Sequence, residues 1–119
     1  MMKKKVLIVD DDPRNIFALE ATLKAKGFEC VSKTNAENAL DFLKENYTVD
    51  AILLDMMMPE MDGYEAIPLI KNLNDKIPVI AVTAQAMVGD REKCLEAGAD
   101  NYISKPIDVD RLMLILNNL

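Results

Sequence analysis

Three features of the sequence predict an α/β protein built as a three-layer sandwich. Apolar runs of strand length recur without alternation, as in Val6-Leu7-Ile8-Val9, Ala51-Ile52-Leu53-Leu54 and Val79-Ile80-Ala81-Val82. Each run is followed by a stretch of helical periodicity, and each ends in a carboxylate or hydroxyl residue. An unbroken apolar strand is buried on both faces, which requires a parallel sheet covered by helices on both sides. Strands alternating with helices through short connections give right-handed βαβ crossovers. The expected pattern is (βα)5.

The first strand lies within residues 4–10 and ends in Asp10-Asp11-Asp12. Asp12 before Pro13 starts a helix, a carboxylate N-cap followed by proline at the first helical position. Ile16, Leu19 and Leu23 share its inner face, Glu20 faces solvent, and Gly27 closes it after Lys24 and Lys26. Residues 28–33 form a short strand. Asn35 caps a helix with Ala36, Ala39, Leu40 and Leu43 on one face, ending near Glu45. The strand Ala51–Asp55 runs into a loop marked by Pro59 and Asp62-Gly63. A helix follows over about 64–73, with Pro68 inside it at a cost of up to ~3 kcal/mol. Residues 78–82 are the fourth strand, ending at Thr83-Ala84, and a helix over 91–97 stops at Gly98. Residues 102–104 are a fifth strand ending at Lys105-Pro106. Asp108 caps a last helix carrying Leu112, Ile115 and Leu116.

At 119 residues the chain is expected to be one domain, 1–119, able to bury roughly two-thirds of its unfolded surface. No apolar run approaches the ~18–20 residues of a membrane span. Lys3-Lys4-Lys5 precede an apolar stretch that stops at three carboxylates, which is not a signal peptide. Cys30 and Cys94 read as reduced thiols of a cytoplasmic protein, and only the fold decides whether they meet. A net charge of −6 argues against nucleic-acid binding. The chain has no histidine, which removes histidine acid–base chemistry, Ser-His-Asp and Cys-His nucleophiles and histidine metal ligands. Any histidine chemistry must come from a partner.

All strands of a parallel sheet point the same way, so Asp10, Asp11, Asp55, Thr83 and Lys105 gather at its carboxyl edge, where open α/β folds place ligands. Crowded carboxylates repel unless a cation joins them. Oxygen ligands alone select a hard cation, and Mg²⁺ is usual where a few carboxylates act together with a phosphate. A carboxylate is also a competent nucleophile towards phosphorus, giving an acyl phosphate. Each residue alone has a plain structural reading: a solvated cap cluster, a strand-end hydroxyl, a surface lysine. Their coincidence at one edge speaks against all of these together.

The sequence resembles the receiver domain of two-component response regulators along essentially its whole length. The resemblance rests on the acidic pair after the first strand and on Asp55 followed by Met-Met-Met-Pro-Glu-Met-Asp-Gly. It rests also on Val-Thr-Ala after the fourth strand and Tyr-Ile-Ser-Lys-Pro after the fifth. It implies a flavodoxin-like sheet of order 2-1-3-4-5, an order that rests on the family resemblance alone. It further implies Asp55 as phosphoacceptor and Asp11 as direct Mg²⁺ ligand, with Asp10 supporting the metal through water and the Met57 backbone carbonyl as a further ligand. Thr83 and Lys105 are implied to contact the phosphoryl group, Lys105-Pro106 to be cis, and Tyr102 to be an aromatic switch. Met57 and Gln85 occupy the positions flanking the path of the hydrolytic water. The implied partners are a histidine kinase or histidine phosphotransfer protein. An effector or second copy is expected on the fourth helix, fifth strand and fifth helix. The stretch from Thr83 to Cys94 is most similar to receivers of hybrid sensor histidine kinases.

Three other readings compete. An aspartate-nucleophile phosphatase would use the Asp10-x-Asp12 spacing, but Arg14 stands where a hydroxyl or small apolar residue is expected. A pseudo-receiver would normally lack an acid or the lysine. A flavodoxin would want a hydroxyl- and glycine-rich phosphate loop after the first strand, where three aspartates stand.

Overall fold

The computed structural model describes residues 4–45, 49–84 and 89–119. Its elements alternate as β1 (Lys5–Val9), α1 (Pro13–Ala25), β2 (Glu29–Lys33), α2 (Ala36–Lys44), β3 (Ala51–Asp55), α3 (Gly63–Leu73), β4 (Val79–Thr83), α4 (Asp90–Ala97), β5 (Asn101–Ser104) and α5 (Val109–Asn117). The strands form one parallel sheet in the order β2-β1-β3-β4-β5.

Strand side chains alternate between the two faces, and the core divides accordingly. Leu7, Val9, Ile52, Leu54, Val79 and Ala81 pack against α2, α3 and α4 through Ala39, Leu40, Ala66, Ile67, Ile70 and Cys94. Val6, Ile8, Leu53, Ile80, Val82 and Ile103 pack against α1 and α5 through Ile16, Leu23, Leu112 and Leu116. Both faces of β3 and β4 are fully buried, the reason their sequences carry no polar alternation.

Local capping fixes where the helices begin and end. Asp12 accepts from the Arg14 N–H at the start of α1, and Asn35 from the Asn38 N–H at the start of α2. At the end of α1 the Gly27 N–H donates to the Lys24 carbonyl and the Phe28 N–H to the Leu23 carbonyl, with Gly27 at φ +92°. This left-handed closure draws Phe28 into the core beside Leu23 and out of the expected strand, so β2 begins at Glu29. Glu20 is half-buried instead of facing solvent: it accepts from the Ser32 Oγ–H at 3.2 Å and pairs with Lys24 at 3.5 Å. The third helix begins at Gly63, one residue earlier than its periodicity suggests, because Asp62 and Glu65 form a capping box around it. Pro68 stays inside α3 on an exposed position, so the hydrogen bond it removes lies on the side open to water.

The fourth helix is weakly anchored. Its single fully buried side chain, Cys94, shares a 3.8 Å hydrogen bond with the Tyr64 hydroxyl of α3, and Lys93 lies 5.1 Å over the Tyr64 ring. Burial and the Cys94 contact push the Tyr64 phenol up to about 12. Cys30 and Cys94 are both free thiols.

Gly63 is where α3 approaches the loop after β3. Its N–H donates to the Met56 carbonyl at 3.2 Å, and a Cβ there would lie 2.3 Å from Met56 Sδ and 2.8 Å from Met56 Cα. The sulfur lies near the end of a flexible side chain and can give way more readily than the backbone atom. Gly63→Ala is therefore expected to destabilise the fold by about 1–3 kcal/mol in urea denaturation, with the slope unchanged.

Candidate functional site

The strand register brings four chain ends to one level. Val9 pairs with Leu54, Asp55 with Val82, and Thr83 with Ser104. Asp10 and Asp11 therefore follow β1 at the same rim where Asp55 ends β3, Thr83 ends β4 and Lys105 follows β5. Main-chain bonds extend the order past the strands: Met56 N–H to the Val82 carbonyl at 2.9 Å and Lys105 N–H to the Thr83 carbonyl at 2.7 Å. The Lys105-Pro106 bond is cis, as the resemblance implies.

Asp10, Asp55 and Thr83 are the buried polar or charged residues among those described, and all three stand at this rim. Burying such groups costs free energy unless they are paired. Asp10 Oδ1 accepts the Asp12 N–H at 2.8 Å, and its Oδ2 accepts from Asn15 Nδ2 at 3.4 Å. Asp55 Oδ1 accepts the Met57 N–H at 3.0 Å. Lys105 Nζ donates to Asp55 Oδ2 at 3.4 Å and lies 3.7 Å from Asp10 Oδ2. One carboxylate oxygen from each of Asp10, Asp11 and Asp55 falls within 4.8 Å of the others, with Asp11 exposed to solvent.

One lysine thus faces three carboxylates. Burial is the largest influence on Asp55 and pushes its carboxyl up; the Met57 N–H and the Lys105 charge pull it back, while Asp10 raises it further. The donor set fits a hard cation: oxygens only, more negative charge than Lys105 offsets, and a solvent-facing Asp11 to complete it. Asp12 is excluded from the cluster. Its carboxylate caps α1 and takes Arg14 Nε and a terminal guanidinium nitrogen, each at 3.2 Å, and these bonds hold it below the usual carboxylate range. An Asp10-x-Asp12 phosphatase needs Asp12 turned towards the substrate, and here it is turned to its own helix.

Asn15 was not expected at the site. Nothing in its spacing marks it, and only the first turn of α1 brings it back over Asp10. Met57 is 60% exposed, whereas Met56 and Met58 on either side are buried. Tyr102 is half-buried against the core on the α2–α4 side. It pairs in register with Ala81, two residues before Thr83, so Tyr102 and Thr83 share a sheet face. Gln85 lies outside the described residues. On the α1 side the rim opens onto a cavity of about 510 Å³ lined by Asp10, Lys105, Leu19, Ile107 and Leu112 among others.

Residues 6–117 match the response regulator receiver domain family. The chain belongs to that family. The receiver is 39% identical over 105 residues to the sensor histidine kinase RcsC of Escherichia coli, covering 88% of this chain and 11% of that protein. It is 40% identical over 114 residues to the polar-differentiation response regulator DivK of Brucella anthropi, covering 94% of this chain and 92% of that one. The chain therefore spans about a tenth of the kinase relatives and nearly all of the DivK relatives. Among solved structures it resembles the receiver domain of a sensor histidine kinase from Pseudomonas aeruginosa. That match has TM-score 0.87 and 35% identity, covering 98% of this chain and 97% of the other; a magnesium ion is coordinated in the active site cleft of that receiver. No helix among the described residues is long and apolar enough to cross a membrane.

Because the folded state holds the Asp55 proton more tightly than the unfolded chain, an ionised Asp55 lowers stability above its folded pKa. The penalty is absent below the unfolded value. In metal-free buffer, Asp55→Asn should melt several degrees above wild type near pH 7, and the gap should narrow as pH falls through the carboxylate range. Melting curves across that range in a chelator check this. A gap that widens at acid pH would contradict it.

Proposed function

We propose that this receiver accepts a phosphoryl group on Asp55 from a phosphohistidine of a histidine kinase or histidine phosphotransfer protein, and that the modified site remodels a partner-binding face. The observation that carries the proposal is Asp55 itself. It is a buried carboxylate at a strand end, 3.4 Å from a lysine and grouped with two further acids. In the transfer an Asp55 carboxylate oxygen forms a bond to phosphorus as the N–P bond to the partner's imidazole breaks. The imidazole leaves with the bonding electron pair and is neutral once protonated. Lys105 pairs with the phosphoryl oxygens, the Thr83 hydroxyl donates to one of them, and the Met57 N–H holds Asp55 in place. Mg²⁺, held by Asp10, Asp11, Asp55 and the Met57 carbonyl, would supply the positive charge the transfer requires. The chain acts as a cytoplasmic signalling domain and not as a turnover enzyme, and it binds neither nucleic acid nor membrane by itself.

Release of the signal runs through the face that Thr83 and Tyr102 share. As Thr83 moves towards the phosphoryl group it vacates space that the Tyr102 ring fills, altering the surface of α4, β5 and α5 on which an effector or a second copy docks. The weak anchoring of α4, whose one fully buried side chain is Cys94, suits a movable element. A bulky Met57 hinders the hydrolytic water and favours a long-lived phosphoryl group; Gln85 is the second residue proposed to act on that water.

With a small phosphodonor and Mg²⁺, intact mass should show one phosphoryl group, labile to base and hydroxylamine and absent in Asp55→Asn. Full labelling of that variant would refute the assignment. Thr83→Ala should still be labelled but lose most of the change in partner affinity, which is expected at roughly five- to a hundredfold. Titration of the partner against wild type and variant, each with and without beryllofluoride, reads this difference.

A further inference from the structure

We propose that Met57 is an oxidation site through which peroxide shortens the life of the phosphoryl group on Asp55; the lifetime part rests on the function proposed above. The loop after β3 carries Met56, Met57, Met58 and Met61. Met56 is 0% exposed and Met58 8%, Met61 is half-buried against the core, and Met113 of α5 is half-buried as well. Among the described residues Met57 is the methionine whose thioether is open to solvent, at 60% exposure.

Oxidation follows that exposure. Peroxide transfers one oxygen to the thioether: the O–O bond breaks, an S=O bond forms, sulfur loses two electrons and water is released. At Met56 the new oxygen would be a buried polar group pressed against Gly63, which the fold resists. At Met57 it stays in water, so the modification leaves the core intact.

The position gives the modification its effect. Met57 is tied to the phosphoacceptor, its N–H donating to Asp55 Oδ1 at 3.0 Å. Asp10, Asp55 and Thr83 are closed off from solvent, whereas Asp11, Met57 and Ala84 are exposed. That exposed side gives water attacking an acyl phosphate on Asp55 a way in past Met57. In hydrolysis its oxygen bonds to phosphorus, the bond from phosphorus to the Asp55 oxygen breaks, and the water gives up a proton. A thioether is a weak acceptor and holds that water poorly; a sulfoxide oxygen is a strong one. Oxidised Met57 orients the water, and a thiol-dependent sulfoxide reductase restores the thioether, two thiols becoming a disulfide and water.

The test uses the whole chain, treated with mild hydrogen peroxide, loaded with a small phosphodonor and Mg²⁺, and followed by intact mass after the donor is removed. Peptide mass mapping should place the first oxygen on Met57, ahead of Met56, Met58, Met61 and Met113. The phosphoryl half-life should fall roughly two- to tenfold, the effect of one well-placed hydrogen bond, and recover after reductase treatment. Met57→Leu, compared with itself before and after peroxide, should show no change. An unchanged or longer half-life in oxidised wild type, an equal fall in Met57→Leu, or preferential oxidation of the buried methionines would overturn the proposal. Failure of the untreated chain to take any phosphoryl group would instead overturn the proposed function and the lifetime effect with it, while the peptide map would still judge Met57 as the oxidation site.

Discussion

The carboxylates of Asp10 and Asp55 are buried beside one another with Lys105 as their one cationic partner among the described residues, and much of the molecule can be understood from that constraint. Two buried negative charges within reach of one cation are not at an energetic minimum. Removing Lys105 would leave them uncompensated, and removing either acid would relieve them. The arrangement persists because each group is fixed from outside the site. Main-chain N–H groups of Asp12 and Met57 hold the two carboxylates, and the sheet ladder holds the strand ends. Stability of the fold is thus partly given up at the rim where the acidic cluster gathers.

The two faces of the sheet divide the remaining work. The face covered by α1 and α5 packs through large side chains, among them Leu23, Ile103, Leu112 and Leu116, and opens at the rim onto the cavity beside Asp10 and Lys105. The other face carries Thr83 and Tyr102 beneath α4, the helix with one buried side chain. Strand alternation sends Thr83 to this face by the same rule that sends Val82 to the opposite core. At the opposite end of the sheet Lys71 bonds Asp100 and the Ile77 carbonyl, and Asp100 accepts the Val79 N–H at 2.8 Å. That network ties the end of α3 to the starts of β4 and β5.

Asp11 and Asp12, adjacent in the chain, have separate duties. Asp12 belongs to the helix it caps and to Arg14; Asp11, exposed and without helical duty, completes the acidic cluster. Pro13 marks the cap role of Asp12 in the sequence, whereas the Asp10-x-Asp12 spacing alone satisfies a pattern that the side chains do not fulfil. A similar division runs through the consecutive methionines, where Met56 packs under Gly63 and Met57 lies in solvent.

The strands, helices and their alternation were legible in the sequence because they depend on neighbours a few residues away: unbroken apolar runs, capping at Asp12, Asn35 and Asp108, and glycine closures at Gly27 and Gly98. The gathering of Asp10, Asp11, Asp55, Thr83 and Lys105 at one edge followed from parallel strands. Boundaries slipped where a local bond outweighed the pattern, as when the Asp62–Glu65 box drew Gly63 into α3 or the α1 closure took Phe28 from β2. What only the tertiary structure decided was that Asn15 turns back to Asp10, that Glu20 binds Ser32, and which methionine is open to solvent. Those outcomes depend on how the first turn of α1 folds back on β1 and on strand register and helix packing, and no apolar or capping pattern encodes the side-chain directions that result.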